Sequence, residues 1–558
     1  MAHCQGHVCQ CLGRIRLLHR DSALCIAAGR RRSGVEFVDG VLSLARGLSE
    51  LGIRSADVVA IAALNSDWYM EWFLAVTYVG GIVAPLNYRW SFQEAKSAME
   101  VVSPVMLVVD ESCSSWALQL QIDKCVSSLK LYALIGDSFS PSFSRDENFL
   151  SMNLIRSYSQ VKALAIVWSP EGIALICFTS GTTGRPKGVA ISHTALITQS
   201  LAKIAIVGYG EDDVYLHTAP LCHIGGISSC LAMLMAGGCH VFLPKFDAES
   251  SFSAIRQHHV TSLITVPAMM VDLVSFARKE NDNSGETVNK ILNGGGGLSS
   301  ELVNLSTSIF PRAKIISAYG MTEACSSLTF ITVHDPNSKK LGKSGSIDCK
   351  VHSKNGGVLV GKPAPHIELR ISGSSDLPLV GSVLTRGPHV MVGYCGQSME
   401  ILSDSVENGW FDTGDIGWID SNGDLWLVGR KKDRIKSGGE NIYPEEVESL
   451  LCQHPGVVYA IVVGIPDTRL DEKVVACIVI REDWNWIDQV SSHSQGGNEL
   501  SSGILLTYCR QRNLTGYKIP KFFIPWRKPL PLTTSGKLKR EDLKKEAMSF
   551  LQIPSSRL

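Results

Sequence analysis

Over about the first 420 residues, short apolar runs bounded by glycine or proline alternate with stretches of helical period. Val58–Ala63, Val105–Val109, Ser262–Val266, Lys314–Ser317 and His366–Ile371 have strand length, and Val35–Leu51 carries its apolar residues at amphipathic-helix spacing. A strand covered on both faces reads as a continuous apolar run, and helices between successive strands supply the crossovers that parallel pairing requires. The pattern therefore predicts an α/β fold, with parallel-rich sheets layered with helices. A chain of 558 residues exceeds one ordinary core, so two or more domains are expected. The dense charge run "GRKKDRIKSGGE" beginning near Arg430 sets the expected boundary. On that reading 1–429 is a large domain and 430–558 a small α+β domain. Polar or glycine-rich loops are expected at Lys279–Glu286, His334–Gly357 and Ser491–Gly503.

Charge narrows the function classes. The 53 basic and 53 acidic side chains cancel, which gives no reason to expect nucleic acid as a partner. From Arg430 onward, however, there are 20 basic against 15 acidic residues, and Arg510–Arg540 holds nine basic residues and no acidic one. Such a run suits solvated surface, and equally a small domain that closes on phosphates. The 16 cysteines show no repeating framework, as expected of free thiols in a reducing compartment. His3, Cys4, His7, Cys9 and Cys11 cluster early, but no second cluster with zinc spacing follows, so no zinc site is expected there. Phe73–Leu86 comes nearest to a membrane span and is interrupted by Thr77, Gly80 and Gly81, well short of the ~20 apolar residues a spanning helix needs. The first 32 residues, with six arginines and one acid, resemble an organelle transit peptide, although Cys9–Leu24 reads as folded lead-in. Ser556-Arg557-Leu558 is a conservative form of the peroxisomal Ser-Lys-Leu address. The expected location is the peroxisome, with the chloroplast as alternative.

One segment points to chemistry. In "ICFTSGTTGRPKGVAISH" the core Thr179–Gly188 packs three glycines, four hydroxyl residues, Arg185 and Lys187 into ten positions. Glycines let a backbone approach an anion closely, and N–H groups and hydroxyls then donate to it. A polyphosphate is the first suspect. The common GxxxxGK[ST] loop is excluded, because Gly188 follows Lys187 and Pro186 bars a helix entry. Apolar runs on either side, Ala174–Phe178 and Val189–Ile191, predict a loop slung between two strands.

Further stretches must be explained together with it: "YLHTAPLCHIGGI" (Tyr215–Ile227), "ILNGGGGLSSEL" (Ile291–Leu302), "ISAYGMTEACS" (Ile316–Ser326), "WFDTGDIGWID" (Trp410–Asp420), "LVGRKKDRIKSGGENIYPEEVE" (Leu427–Glu448) and "LPLTTSGKLKRE" (Leu530–Glu541). Taken singly, each has a structural explanation: His223 as a core histidine, Asp415 as a turn former, Lys537 as a solvated lysine. In this order they resemble the signatures of the adenylate-forming enzymes, the superfamily of acyl-CoA ligases, luciferases and peptide-synthetase adenylation domains. The likeness runs from about Cys9 to Ile553. "PLNYRWSFQEAK", "GYGEDDVYLHTAPLCHIGGI", "ITVPAMM" and "ILNGGGGLSSEL" are similar to the plant o-succinylbenzoate–CoA ligases of phylloquinone synthesis.

The resemblance implies a large domain with layered sheets and a distorted β-barrel, and a small mobile C-terminal domain carrying hinge and catalytic lysine. It implies ATP and coenzyme A as co-substrates, Mg²⁺, and a small carboxylic acid that is adenylated and then passed to the CoA thiol. Thr179, Ser180, Gly181, Thr182, Thr183, Gly184 and Lys187 correspond to the phosphate-wrapping loop. Glu323 corresponds to the Mg²⁺ ligand and Thr322 to a contact with the α-phosphate. Ala318, Tyr319 and Gly320, with Gly295, Gly296 and Gly297, correspond to the adenine site. Asp415 and Arg430 match the ribose-binding pair, and Lys537 the lysine that bridges acyl carboxylate and α-phosphate. His223, Gly225, Gly226, Asn293 and Ser317 correspond to the acid pocket, and His223 is counted with Lys537, Thr322 and Glu323 among the catalytic residues as well; Lys432 matches the hinge, and Lys436, Gly438 and Gly439 the thiol route. One departure is "PDTRLDEKV", where Asp471 replaces a glycine common among relatives. Left open are another aromatic or medium-chain acid, such as a coumarate or a jasmonate precursor, and an inactive homologue acting as a binding protein.

Overall fold

The computed structural model describes residues 6–136, 149–158, 165–180, 186–338, 357–372, 380–396, 406–407, 409–438, 440–487, 498–512, 514, 516–532 and 538–551. Contacts divide the chain into two compact units. The first takes in residues 1–349, 360–369 and 385–411, and the second 350–359, 370–384 and 412–558. The charged run at Arg430 thus lies inside the second unit.

In the first unit the predicted strands form where the apolar runs stand. Val58–Ala62 pairs in parallel with both Ile82–Pro85 and Met106–Val109, and Leu131–Leu134 continues the parallel set. Strand β1 (Ile173–Ser180) joins this sheet and turns back antiparallel into β2 (Pro186–Ser192). The expected strand–loop–strand arrangement is present, although residues 181–185 lie outside those described. The helix read at Val35–Leu51 spans Gly34–Glu50. Its start is fixed by a capping box, in which the Ser33 side chain accepts from the Glu36 N–H and the Glu36 carboxylate accepts from the Ser33 N–H. The segment Phe73–Leu86 is the end of one helix, Asp67–Tyr78, followed by a strand, with Gly80 turning the chain at φ +81°. Among the described residues no helix is long and apolar enough to cross a membrane.

Helix α1 (His193–Val207) follows β2 directly, capped by Ser192, and α2 (Ile224–Ala236) starts at His223. The second sheet of this unit runs in parallel through Cys239–Phe242, Val214–His217, Ser262–Thr265, β3 (Lys290–Asn293) and β4 (Lys314–Met321). It then turns antiparallel into β5 (Ser326–His334). Thr265 and Asn293 end their strands and sit in register with Ser317 on the neighbouring β4, at the edge where α/β sheets bind ligands. A two-residue strand, β6 (Gly393–Tyr394), pairs with β2 at Ala190 and Val189. Phe37, Tyr69 and Trp72 are among the largest fully buried side chains, all within one apolar cluster.

The second unit contains, from Asp412 on, the hairpin of β7 (Trp410–Ile419) and β8 (Leu425–Arg430), with Gly423 at φ +80° in its turn. A second sheet is centred on the long antiparallel pair β9 (Val457–Asp467) and β10 (Asp471–Ile480). Helices α3 (Pro444–Leu451) and α4 (Arg540–Phe550) contact β9. The polar stretch 491–503 is only in part a loop. Residues 488–497 lie outside those described, but Ser501 caps a helix over Ser502–Gln511 by accepting from the Ile504 N–H. That serine was a readable helix start.

Candidate active site

The loop stems place Thr179 directly opposite Lys187, and Ser180 opposite Pro186, across β1 and β2. Pro186 lacks an N–H to lose, and Gly188 is needed because a side chain there would press on Ile176. Gly181, Thr182, Thr183 and Gly184 lie outside the described residues, as does Lys537.

The stems β1 and β2 both contact the turn between β4 and β5. Gly320 fits it because a Cβ would overlap the Ser326 carbonyl oxygen. After the short helical turn Thr322–Ala324, Cys325 and Ser326 both adopt positive φ, +54° and +105°. Two left-handed non-glycine residues in succession are strained, a state that persists only where its surroundings over-determine it. Here they do. The Gln199 amide of α1 donates to the carbonyls of Ala324 (3.2 Å) and Ser327 (2.6 Å), and the Met391 N–H donates to the Glu323 carbonyl at 2.8 Å.

Glu323 is therefore held from two sides. Its Oε1 also accepts a hydrogen bond from the Tyr394 hydroxyl at 2.9 Å, and Lys187 Nζ lies 5.2 Å from the centre of the Tyr394 ring. Burial, reinforced by the Glu323 charge, holds the Tyr394 phenol well above its ordinary range, so it stays a donor. Sequence reasoning missed Tyr394: "VMVGYCG" has no period and supplies only a two-residue strand. This tyrosine stands between Lys187 and the half-buried carboxylate.

Asn293 is fully buried, and its amide donates to the Gly296 carbonyl at 2.7 Å. It shapes the glycine loop, in which Gly295 takes φ +71° and Gly295, Gly296 and Gly297 are exposed. Ser317, Ala318, Tyr319 and Thr322 are half-buried along β4 and its turn, and His223 is half-buried at the start of α2. A Cβ at Gly225 would meet nothing within 4 Å, so this face of α2 borders open space; one at Gly226 would overlap the Pro220 carbonyl.

In the second unit Asp415 and Arg430 are cross-strand partners, with Arg430 Nε 3.2 Å from Asp415 Oδ1. Asp415 is buried, while the Arg430 side chain is 46 % exposed. Lys432 is exposed in the turn after β8, and Lys436 is exposed in the strand Ile435–Ser437. Gly438 takes φ +61° and donates to the Leu470 carbonyl at 2.7 Å; Gly439 lies outside the described residues. Asp471 is left-handed, at φ +70°, which explains why a glycine suits that position. Residues 533–537 are bracketed by a bridge between Leu532 and Leu538.

Family models match both parts of the chain. The model of the AMP-binding enzymes matches residues 17–395, and that of the AMP-binding enzyme C-terminal domain matches 446–537. The chain belongs to the AMP-binding enzyme family. It is 52 % identical to the 2-succinylbenzoate–CoA ligase, chloroplastic/peroxisomal, of Arabidopsis thaliana, over 100 % of both chains. It is 31 % identical to an indoleacetate–CoA ligase of Aromatoleum aromaticum, covering 90 % of each. Among solved structures, the o-succinylbenzoate CoA synthetase of Bacillus subtilis with its acyl-adenylate intermediate superposes with a TM-score of 0.71 at 25 % identity, covering 96 % of this chain and 97 % of that one. The fold is that of the adenylate-forming enzymes, and the protein is an enzyme of that family.

Proposed function

We propose that this AMP-binding enzyme is an ATP-dependent CoA ligase for o-succinylbenzoate. The observation that carries the reading is the 52 % identity to the Arabidopsis ligase over the whole of both chains. In the first half-reaction the acid's carboxylate attacks the α-phosphorus of ATP, giving the acyl-adenylate and pyrophosphate. In the second the CoA thiol attacks the acyl carbon, giving the thioester and AMP, with the thiol proton released.

Negative charge gathers around the α-phosphate in the first step, so fixed donors and cations lower its barrier. Thr179 and Lys187, with residues 180–184, would bind the β- and γ-phosphates, and Thr322 the α-phosphate. The Glu323 carboxylate is a hard oxygen donor suited to Mg²⁺, which would neutralise phosphate charge when bound; Tyr394 fixes the carboxylate's direction. Tyr319 would stack on adenine. Asp415 would accept from the ribose hydroxyls and Arg430 would donate to the same sugar. Lys537 would pair with the reacting carboxylate and α-phosphate in adenylation alone. The first 429 residues would act as the adenylation core, with Lys432 as hinge and Gly438 and Gly439 beside the thiol's route. Ser556-Arg557-Leu558 supports delivery to peroxisomes, and the Arabidopsis relative's name allows either compartment.

The test is turnover of purified protein with ATP, Mg²⁺ and CoA across a panel of carboxylic acids. The expected products are o-succinylbenzoyl-CoA, AMP and pyrophosphate. A ten-fold higher kcat/KM for a cinnamate or a fatty acid, about 1.4 kcal/mol in transition-state binding, would overturn the substrate and leave the ligase.

A further inference from the structure

Lys203 lies in the middle of α1, with 0 % of its surface exposed. Its ammonium donates to three serine hydroxyls: Ser228 Oγ at 2.6 Å, Ser229 Oγ at 3.1 Å and Ser326 Oγ at 3.3 Å. The titratable group that bears on it is the Cys325 thiol, which burial keeps protonated and neutral by pushing it up to about 12. No carboxylate is paired with Lys203 among the described residues. An ammonium stripped of water and given only neutral dipoles is strongly disfavoured, and burial pushes Lys203 down to about 7.

We propose that Lys203, with the hydroxyls of Ser228, Ser229 and Ser326, is the binding site for a second carboxylate of the acid substrate, which makes the enzyme selective for a dicarboxylate. This rests on the CoA-ligase reading and deepens it. A serine hydroxyl that accepts from the ammonium still has its own proton to give. A carboxylate entering here therefore meets hydroxyl donors around a cation, an arrangement of charge-assisted hydrogen bonds.

The location suits a compact diacid. Ser228 and Ser229 stand three and four positions after Gly225 on α2, so they share its face, and that face borders open space at Gly225. One helical turn, about 5.4 Å, separates the two levels. That is of the order of the offset between a succinyl carboxylate and an ortho ring carboxylate. The Ser326 hydroxyl makes the longest of the three bonds, and Ser326 is the one of these serines that is not fully buried. It is the group an entering carboxylate would displace. Its backbone is left-handed, at φ +105°, while its hydroxyl accepts from Lys203. Strain at that residue thus has a function to explain it.

The experiment compares o-succinylbenzoate with β-benzoylpropionate, the same acid without the ring carboxylate, for the wild type and Lys203→Met. In the wild type the diacid should be preferred at least ten-fold in kcat/KM; a smaller ratio overturns the proposal without any variant. Lys203→Met should lose 30-fold or more on the diacid and less than three-fold on the monoacid. Equal losses on both would mean that Lys203 only supports the Glu323 turn, and unchanged values would mean that it is inert; either overturns the proposal. Monoacid turnover also reports that the variant has folded, and Lys203→Gln replaces it should Met not be accepted in the core. The two readings fail separately. A wild type that rejects o-succinylbenzoate but takes another diacid in a Lys203-dependent way defeats the substrate and keeps the anion site. A wild type and a Lys203→Met variant that both accept o-succinylbenzoate equally well keep the substrate and defeat the anion site.

Discussion

Lys203, buried in the first unit, and Arg540, half-buried in the second, are both cations withdrawn from water, and their surroundings are opposite. The Arg540 guanidinium meets Glu448 at 2.5 and 2.9 Å, donates to the Val462 carbonyl at 3.0 Å, and lies 3.8 Å from both Glu445 and Asp433. Burial alone would lower its pKa, yet Glu448, Glu445 and Asp433 together raise it. Lys203 has three hydroxyls instead, and among the described residues no carboxylate offsets its burial. A planar fork saturated by carboxylates is complete within the protein. A point charge among hydroxyls is complete only when something else supplies the anion. Arg540 thus serves to anchor α4 to α3 and β9, three residues after Lys537, whereas Lys203 is placed to recognise.

The sharpest way to break this contrast is to remove each cation. Arg540→Ala leaves Glu448 and its neighbours without their counter-charge, and should cost about 3–5 kcal/mol, read as a lower urea midpoint. Lys203→Met removes a desolvated ammonium and leaves hydroxyls that can find other partners. Its stability should change by less than about 1 kcal/mol. Equal destabilisation by both would erase the distinction.

Next in size are opposite pH responses. Lys203 falls from 10.5 to about 7 on folding, so between those values the unfolded chain holds more protons and stability rises with pH. Glu445 is raised from 4.5 to about 7, chiefly by burial and further by Glu448 and Asp433 against the Arg540 charge. Between 4.5 and 7 the folded state holds more protons, and stability falls as pH rises. The difference in unfolding free energy between wild type and Lys203→Met should climb above pH 7, by at most about 1.4 kcal/mol per pH unit. That between wild type and Glu445→Gln should decline from pH 4.5 to 7. A flat profile in either window removes that group from the comparison.

The smallest effect concerns backbone. Asp471→Gly relieves a left-handed φ of +70° in the turn between β9 and β10 and should stabilise by about 0.5–1 kcal/mol, a shift visible in thermal unfolding.

What could be read from the sequence was what chain-local physics controls. The strand read at Val58–Ala63 forms over Val58–Ala62, and the phosphate-loop stems pair as expected, because apolar runs and turn residues act on neighbouring positions. Asp471 stood out as a missing glycine, and its φ gives the reason. The site's supports were not legible. In "LITQSLAKIAIV" nothing marks Lys203, since the hydroxyls it meets come from α2 and β5. Tyr394 was invisible for the same reason, because its partner stands far away along the chain.

That separation has a consequence for how the protein is made. Tyr394 follows Glu323 by 71 residues, and parts of the second unit, 350–359 and 370–384, are encoded in between. At the ~5–20 residues per second of chain synthesis, the interval is about 4–14 s. During it the Glu323 turn has been made but lacks both Met391, which holds its backbone, and the tyrosine that holds its carboxylate. Codon choice across 324–394 therefore sets how long a nascent chain carries that turn incomplete.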